Sequence, residues 1–435
     1  VIGALIIGVI LLVLLAKAIG NPYYGLLGLL VINTVNPGEL YDVYNTLHVE
    51  RVFVLIVLVV TLAKIKLRFP AITKSLFVFW MLMLVGVLFA FFKGGALEKT
   101  LSFGTIFFYH VLTVNLVDTR ERMFGYLRTF MYLMLWVAGS TVWSFKQGNF
   151  NAAALRNGFE RAQGLTSSNG DPNTVGITIV SGLPLVALIL FFGKKADRLA
   201  ALSTVVLSAV TVVLTGSRTS FLLLAMLLVA FGLTRKRAIL AMPALIVIAL
   251  IGWAFVPDSL KQRYVTVTEV TSHQEIDQSY ENRLIAWSAG RAMFMDYPLF
   301  GVGTGQFVNA NGSTYWPGTP KLWLNPHNLY VQLMAEHGIT GIVSWSVFIL
   351  LMIGATRRVK GKLTETSEPG WMRHLPAAVQ FSLFVLFIAG YSSHSLYRPT
   401  WYMLAALVAA ADFVVHQQQK QLDVEPDRVA QAVMA

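Results

Sequence analysis

The stretch VGITIVSGLPLVALILFF, from Val175 to Phe192, carries no charged side chain, and Ala238–Val256 reads the same way. Each approaches the roughly 20 apolar residues that a helix needs to cross a bilayer. Working outward from them, apolar segments fall at about 1–16, 22–35, 51–66, 75–92, 100–117, 123–144, 174–192, 199–215, 218–233, 238–256, 329–355, 374–393 and 399–416. The first two flank Gly20-Asn21-Pro22, so they read as two spans, or as one span and a re-entrant piece. The expected fold is all-α, a polytopic membrane protein with about 12 transmembrane helices. Composition agrees. Of 435 residues, 56% are hydrophobic and 13% charged, against about 25% charged in soluble proteins, and mean hydropathy is +0.63. No segment reads as a cleaved signal peptide, and the first residue is Val1 rather than Met, so further residues are expected upstream.

The net charge is +12. Basic loops of a membrane protein set its orientation and meet anionic lipid head groups. No basic helix interleaved with aromatics points to nucleic acid. The chain has no cysteine, which excludes disulfides, thiolate catalysis and zinc–cysteine sites. Short-loop Lys and Arg gather on one side: Lys64, Lys66, Arg68 and Lys74; Arg120, Arg122 and Arg128; Lys194, Lys195 and Arg198; Arg235, Lys236 and Arg237; and Arg357, Arg358, Lys360, Lys362 and Arg373. By the positive-inside rule that side is cytoplasmic. The chain then divides into transmembrane helices with short loops (1–256), a periplasmic loop with helices (257–328), C-terminal transmembrane helices (329–416) and a cytoplasmic tail (417–435).

The loop from about Pro257 to Asn328 is too long for a bare connection, and loops of this length are usually functional. Residues 275–296 look helical, with Ile276, Leu284, Ile285, Trp287 and Met293 spaced for an apolar stripe. Gly301-Val302-Gly303-Thr304-Gly305 follows Tyr297-Pro298 rather than a strand, and no Gly-Lys-Ser/Thr comes after it. It reads as a close-packed turn, not a nucleotide loop. No internal repeat supports an inverted-repeat transporter.

Three residues on the non-cytoplasmic side carry the chemistry. His327, in Asn325-Pro326-His327-Asn328 at the mouth of the 329–355 span, is a candidate general base, because histidine titrates nearest neutrality. Arg218 follows a Thr-Gly-Ser turn between two apolar runs, and Arg283 lies on the loop helix. Both are candidates to grip a phosphate. Asn328, Arg156, Arg161, Arg291 and Arg398 are secondary candidates on the same side, and His337 reads as structural. Cations beside one histidine suit a lipid-diphosphate substrate, since the charge of a leaving diphosphate rises as it departs. Asp171, Asp258, Asp277 and Asp296 are scattered, with no pair spaced for magnesium or manganese. Neither a metal nor another cofactor is expected.

These segments resemble the O-antigen ligase/O-antigen polymerase superfamily of bacterial envelope glycosyltransferases. The resemblance rests on His327-Asn328 through Gly338 and Gly341 (His-Asn-x9-Gly-x-x-Gly) and on the Leu214-Thr-Gly-Ser-Arg218 turn. Arg283-Leu284 through Trp287, Tyr297-Pro298-Leu299-Phe300-Gly301-Val302-Gly303 and Ser168-Asn169-Gly170-Asp171-Pro172-Asn173 add to it. It covers roughly residues 168–345; before that the chain matches only in hydropathy. The resemblance implies a GT-C-like scaffold in the bacterial inner membrane, with the site facing the periplasm. It implies an undecaprenyl diphosphate-linked glycan as donor and lipid A–core as acceptor, joined with inversion and without a metal. Arg218 and Arg283 would bind the diphosphate, and His327 would orient or deprotonate the acceptor hydroxyl. An O-antigen polymerase or a protein O-oligosaccharyltransferase would share the scaffold. A flippase or transporter would want ionisable residues deep in the spans, where only His110 and the polar Asn115 are candidates.

Overall fold

The computed structural model describes residues 2–156, 158–165, 171–234, 258, 261, 278–319, 321–364 and 369–434. The expected 238–256 span, the basic group Arg235, Lys236 and Arg237, and most of the long loop before Gln278 lie outside the described residues. The main helices are α1 (Ile2–Gly20), α2 (Pro22–Val35), α3 (Val49–Leu62), α4 (Ala71–Gly86), α5 (Lys93–Leu116), α6 (Arg120–Lys146) and α7 (Pro172–Phe192). They continue with α8 (Lys195–Leu214), α9 (Arg218–Thr234), α10 (Gln278–Asp296), α11 (Leu329–Thr364), α12 (Gly370–Gly390) and α13 (Pro399–Met434). No strand occurs among the described residues. α1 and α2 are separate helices. Asn21 ends the first and caps the second, its side chain accepting from the Tyr23 amide at 3.1 Å, with Pro22 preset for a first helical turn.

Among the described residues, seven helices are long and apolar enough to cross a membrane: Gly3–Gly20, Ala71–Phe89, Pro172–Phe192, Lys195–Leu214, Leu329–Leu363, Gly370–Gly390 and Pro399–Gln417. α2 and the apolar part of α9 are shorter. Burial sorts the spans. In α7 and α13, 72% of the span window is buried, against 11% in α1. α7 packs on α6, α8, α9 and α12, while α13 packs on α5, α11 and α12. α1 instead exposes Leu5, Ile6, Val9, Leu12 and Val13. Exposed apolar rows of this extent suit lipid, not water. The protein is therefore an all-helical, multi-pass membrane protein.

The loops segregate to two ends. At one end Lys64 bonds the Gly20 carbonyl at 2.7 Å, Arg68 bonds the Val114 carbonyl at 2.9 Å, and Arg122 pairs with Asp118 at 2.7 Å. Lys362 pairs with Asp412 at 2.9 Å at the same end of α11 and α13. The opposite end carries α10 and a small second core of Ala286, Ala289, Met293, Val302, Phe307, Ala310 and Ala335. The expected stripe on α10 needs correction. Leu284 is 43% exposed, and the buried face is Ala286, Ala289, Gly290 and Met293. Small residues let α10 approach α11 closely: a Cβ on Gly290 would strike Val331 and Phe307. Ile276 lies outside the described residues.

The glycine run is a close-packed turn. α11 breaks at Gly338, whose φ of 59° and ψ of −155° are not helical. The freed backbone groups pair with the turn: Val302 N donates to Ala335 O at 2.8 Å, Gly303 N to Glu336 O at 3.1 Å, and Ile339 N to Pro298 O at 2.9 Å. Phe91 N, at the start of the chain leading into α5, donates to Val302 O at 2.9 Å. Backbone freed inside a membrane bundle needs such partners. Gly301 holds φ +65°, and a Cβ there would meet the Glu336 and His337 backbone. Gly301→Ala is expected to destabilise the fold by about 2 kcal/mol or more, read as a lower melting temperature in detergent. Gly20→Ala, which meets nothing within 4 Å, should leave the melting temperature unchanged.

Candidate functional site

His327 is the penultimate residue of an irregular segment, 321–328, that leads into α11. Its φ is +44°, a region that side chains other than glycine seldom adopt. Neighbours on both sides hold it there. The Pro326 carbonyl accepts from Trp287 Nε1 at 2.8 Å. Asn328 caps α11: its Oδ1 accepts from the amides of Tyr330 at 2.9 Å and Val331 at 3.1 Å, and its Nδ2 donates to Tyr391 O at 3.2 Å. The Trp287 and Tyr391 rings meet edge to face, 5.6 Å apart. The secondary candidate Asn328 thus fixes the histidine's neighbourhood from within the helix cap.

Three elements then converge on the imidazole. His394, in the 391–398 connection between α12 and α13, sets its ring edge-on to His327 with centroids 5.1 Å apart. Asp171, at the head of α7, and Arg283, on α10, both act on His327 through their charge. Burial lowers the His327 pKa from its ordinary value, Arg283 lowers it further, and Asp171 opposes both. His327 is therefore neutral at neutral pH, with its lone pair available. For Asp171, burial pushes upward, but His327, the bond from Thr174 and Arg161 outweigh it and hold the carboxyl below its usual range. Burial, then His327 and Arg398, push His394 down to about 3.

Asp171 is placed by its own capping. Its carboxylate accepts from the Thr174 amide at 3.1 Å and the Thr174 hydroxyl at 3.0 Å, ahead of Pro172 at the first helical position. Arg398 lies on the same helix head, donating to Thr174 Oγ1 at 2.6 Å, Thr174 O at 3.3 Å and Ser393 Oγ at 3.3 Å. Arg161 is buried, with Nε on Thr215 O at 2.7 Å and Nη2 on Asn173 Oδ1 at 3.0 Å. It ties the α8–α9 hairpin to the head of α7. Arg218 is the first residue of α9, just after that hairpin, where Gly216 takes φ +57°. The hairpin thus brings Arg218 to the end of the bundle that holds His327. Arg291 is exposed on α10. The Arg156 backbone ends a short helix, Ala152–Arg156, and its side chain lies outside the described residues, as do Ser168, Asn169, Gly170 and Asp277.

The structure adds Asp171 and His394 to the histidine and arginines named from sequence. Asp171 had two signals, neither of which gave it a role: the Ser168–Asn173 stretch of the resemblance, and an Asp-Pro pair before an apolar run, which reads as a helix cap. His394 had only its place in a polar break between two spans. His337 joins a different, buried network. Its Nε2 meets the Tyr397 hydroxyl at 2.7 Å, and that hydroxyl donates to Glu336. His110 is likewise satisfied, by Thr73 Oγ1 at 3.0 Å and Tyr402 O at 2.9 Å. No group of three or more metal-ligating side chains is placed to hold an ion among the described residues.

A carboxylate whose charge acts on an imidazole tunes it. Asp171→Asn keeps a capping side chain and removes the charge that raises the His327 pKa. The acid limb of the rate–pH profile is expected to move to lower pH, because the imidazole then loses its proton more readily. With His327 as the candidate general base, the plateau should fall on the order of tenfold, because its basicity drops. A profile unchanged from wild type would remove Asp171 from the site.

Fold and site define a multi-pass membrane protein with a histidine, a carboxylate and arginines gathered at one end of its bundle. The sequence model of the family described as O-Antigen ligase matches residues 203–346, the segment that contains Arg218, Arg283 and His327. The match supports membership of the O-antigen ligase/polymerase superfamily, an enzyme group whose substrates are lipid-linked glycans. No curated protein matches it.

Proposed function

We propose that the chain moves O-antigen glycan from undecaprenyl diphosphate to a sugar hydroxyl of lipid A–core on the periplasmic face of the bacterial inner membrane. In this reading it crosses the membrane about 12 times. Helices of 1–256 and 329–416 form the membrane body, 257–328 is a periplasmic loop on a GT-C-like scaffold, and 417–435 is a cytoplasmic tail. The observation that carries the reading is His327, set edge-on to His394 and held toward its neutral form by burial and Arg283 against the pull of Asp171, inside the segment that matches the family.

The chemistry follows from the placement. His327 accepts the proton of the acceptor hydroxyl as its oxygen attacks the anomeric carbon from the face opposite the diphosphate. The new C–O bond forms, the bond to the diphosphate oxygen breaks, and its electron pair leaves with the diphosphate. The anomeric centre inverts. Asp171 stabilises the imidazolium that forms. Arg218 and Arg283 receive the growing negative charge of the leaving group, in a site where fixed cations need no reorganisation. No step calls for a metal or other cofactor.

The acceptor decides between ligase, polymerase and protein O-oligosaccharyltransferase. The full chain in proteoliposomes, given the lipid-linked glycan with lipid A–core, with a second lipid-linked glycan or with an acceptor protein, is expected to transfer only to lipid A–core. Transfer only to one of the other acceptors would overturn the ligase reading and leave the chemistry standing. Substrate-dependent glycan movement across the bilayer, insensitive to His327→Ala, would replace it with a transporter.

A further inference from the structure

The segment before His327 has a regular exposure pattern that the transfer chemistry does not use. Lys321, Trp323 and Asn325 are exposed, Leu322 and Leu324 are half-buried between them, and Pro326 is buried. This period-2 alternation is that of an extended chain lying on a surface with one face outward. The segment leads into His327, which is half-buried.

Trp323 is the notable member. It is 55% exposed, yet one face of its indole is seated. Gly312, in the π-helical turn Asn311–Tyr315, lies directly under it, and a Cβ on Gly312 would strike the fused ring carbons. The segment is also pinned. Asn311 Nδ2 donates to Leu324 O at 3.4 Å, Trp287 Nε1 to Pro326 O at 2.8 Å, and Lys321 Nζ to Ser313 O. The indole is thus a rigid plane with one face backed by protein and the other open. Indole rings with one apolar face held are efficient contact surfaces at low entropic cost. Asn325 adds an amide that both donates and accepts, and Lys321 adds a donor.

We propose that Lys321, Trp323 and Asn325 form a glycan-binding ledge, with a pyranose ring stacked on the open face of Trp323. The ligand class is an uncharged or weakly acidic oligosaccharide. The proposal rests on the glycosyl-transfer reading and extends it. Four residues of extended chain reach at most about 14 Å, so the stacked ring lies along the glycan from the hydroxyl or anomeric carbon at His327. Contact remote from the reacting bond binds ground state and transition state alike. It therefore changes KM and leaves kcat alone.

The test uses purified full-length protein and the soluble oligosaccharide freed by mild acid from the bacterium's own surface glycan. Binding is followed by calorimetry and by tryptophan fluorescence, and transfer is assayed in proteoliposomes. Trp323→Ala is expected to weaken oligosaccharide binding about tenfold and raise KM about tenfold with kcat unchanged. Trp323→Phe keeps an aromatic plane; it should bind within about threefold of wild type and lose the ligand-induced fluorescence change. Wild-type transfer without any binding of the free oligosaccharide would overturn the ledge alone. So would unchanged affinity in Trp323→Ala, or an unaltered fluorescence response in Trp323→Phe. Weaker liposome association of Trp323→Ala with unchanged oligosaccharide affinity would make Trp323 a membrane anchor. Wild-type protein that neither binds nor transfers glycan would overturn the transfer reading and the ledge with it.

Discussion

His327→Ala is expected to lower glycan transfer by about 10²–10⁴-fold, the range for removing a positioned general base. The protein should still fold. Pro326 and Asn328 hold their bonds through a backbone carbonyl and an amide side chain that the substitution does not touch. Loss of the imidazole also relieves a side chain from φ +44° only in part, since alanine shares the disfavour for that region. Initial rates in proteoliposomes, with melting temperature as control, give the readout. His337→Ala provides the contrast. It removes the partner of the Tyr397 hydroxyl in a buried network, so it should lower the melting temperature first and activity only in proportion to lost folded protein. A His327→Ala rate within about threefold of wild type would remove the histidine from the chemistry.

The membrane character of the chain was plain from runs such as Val175–Phe192, because a bilayer imposes a length and an apolar composition that no soluble helix needs. The Asn21-Pro22 junction was legible as a break but not as to its kind. Capping by Asn21 and the preset φ of Pro22 make it a turn between two helices. The buried face of α10 was read only in part: Met293 is buried as expected, but periodicity weighs large apolar residues and the rest of the face is Ala286, Ala289 and Gly290. Small residues give close approach, a property of the pair of helices and not of one. The same limit applies to the site. His327 and the arginines stood out by type and motif, whereas Asp171 and His394 matter through their nearness to His327. That nearness arises because the heads of α7 and α11 and the 391–398 connection meet at one end. Nothing local to Asp171 announces a partner so far along the chain. The interlock of Gly301 and Gly338 was half visible: the run of glycines marks a turn, but its insertion into a broken span is a tertiary fact.

Arg283 should show a compound effect that a purely structural arginine would not. It sits on α10 and acts by its charge on His327, and in the proposed reaction it also receives the charge of the leaving diphosphate. Arg283→Ala is expected to cut kcat by about 10²–10³-fold, as for the loss of one preorganised donor to a developing anion. Arg283→Lys keeps the charge but not the planar fork, so it should recover only part of the loss. The second effect concerns pH. Arg283 lowers the His327 pKa, so its removal lets that pKa rise and the imidazole keeps its proton to higher pH. The acid limb of the rate–pH profile then moves upward in Arg283→Ala, opposite to its movement in Asp171→Asn. In Arg283→Lys the limb should stay near its wild-type position, since a cation remains. One residue thus separates two roles. The charge sets the titration of the base, and the geometry of the guanidinium sets the rate at which the diphosphate departs. A limb that stays fixed in Arg283→Ala while the rate collapses would confine Arg283 to the diphosphate. A limb that moves with the rate preserved would confine it to tuning His327.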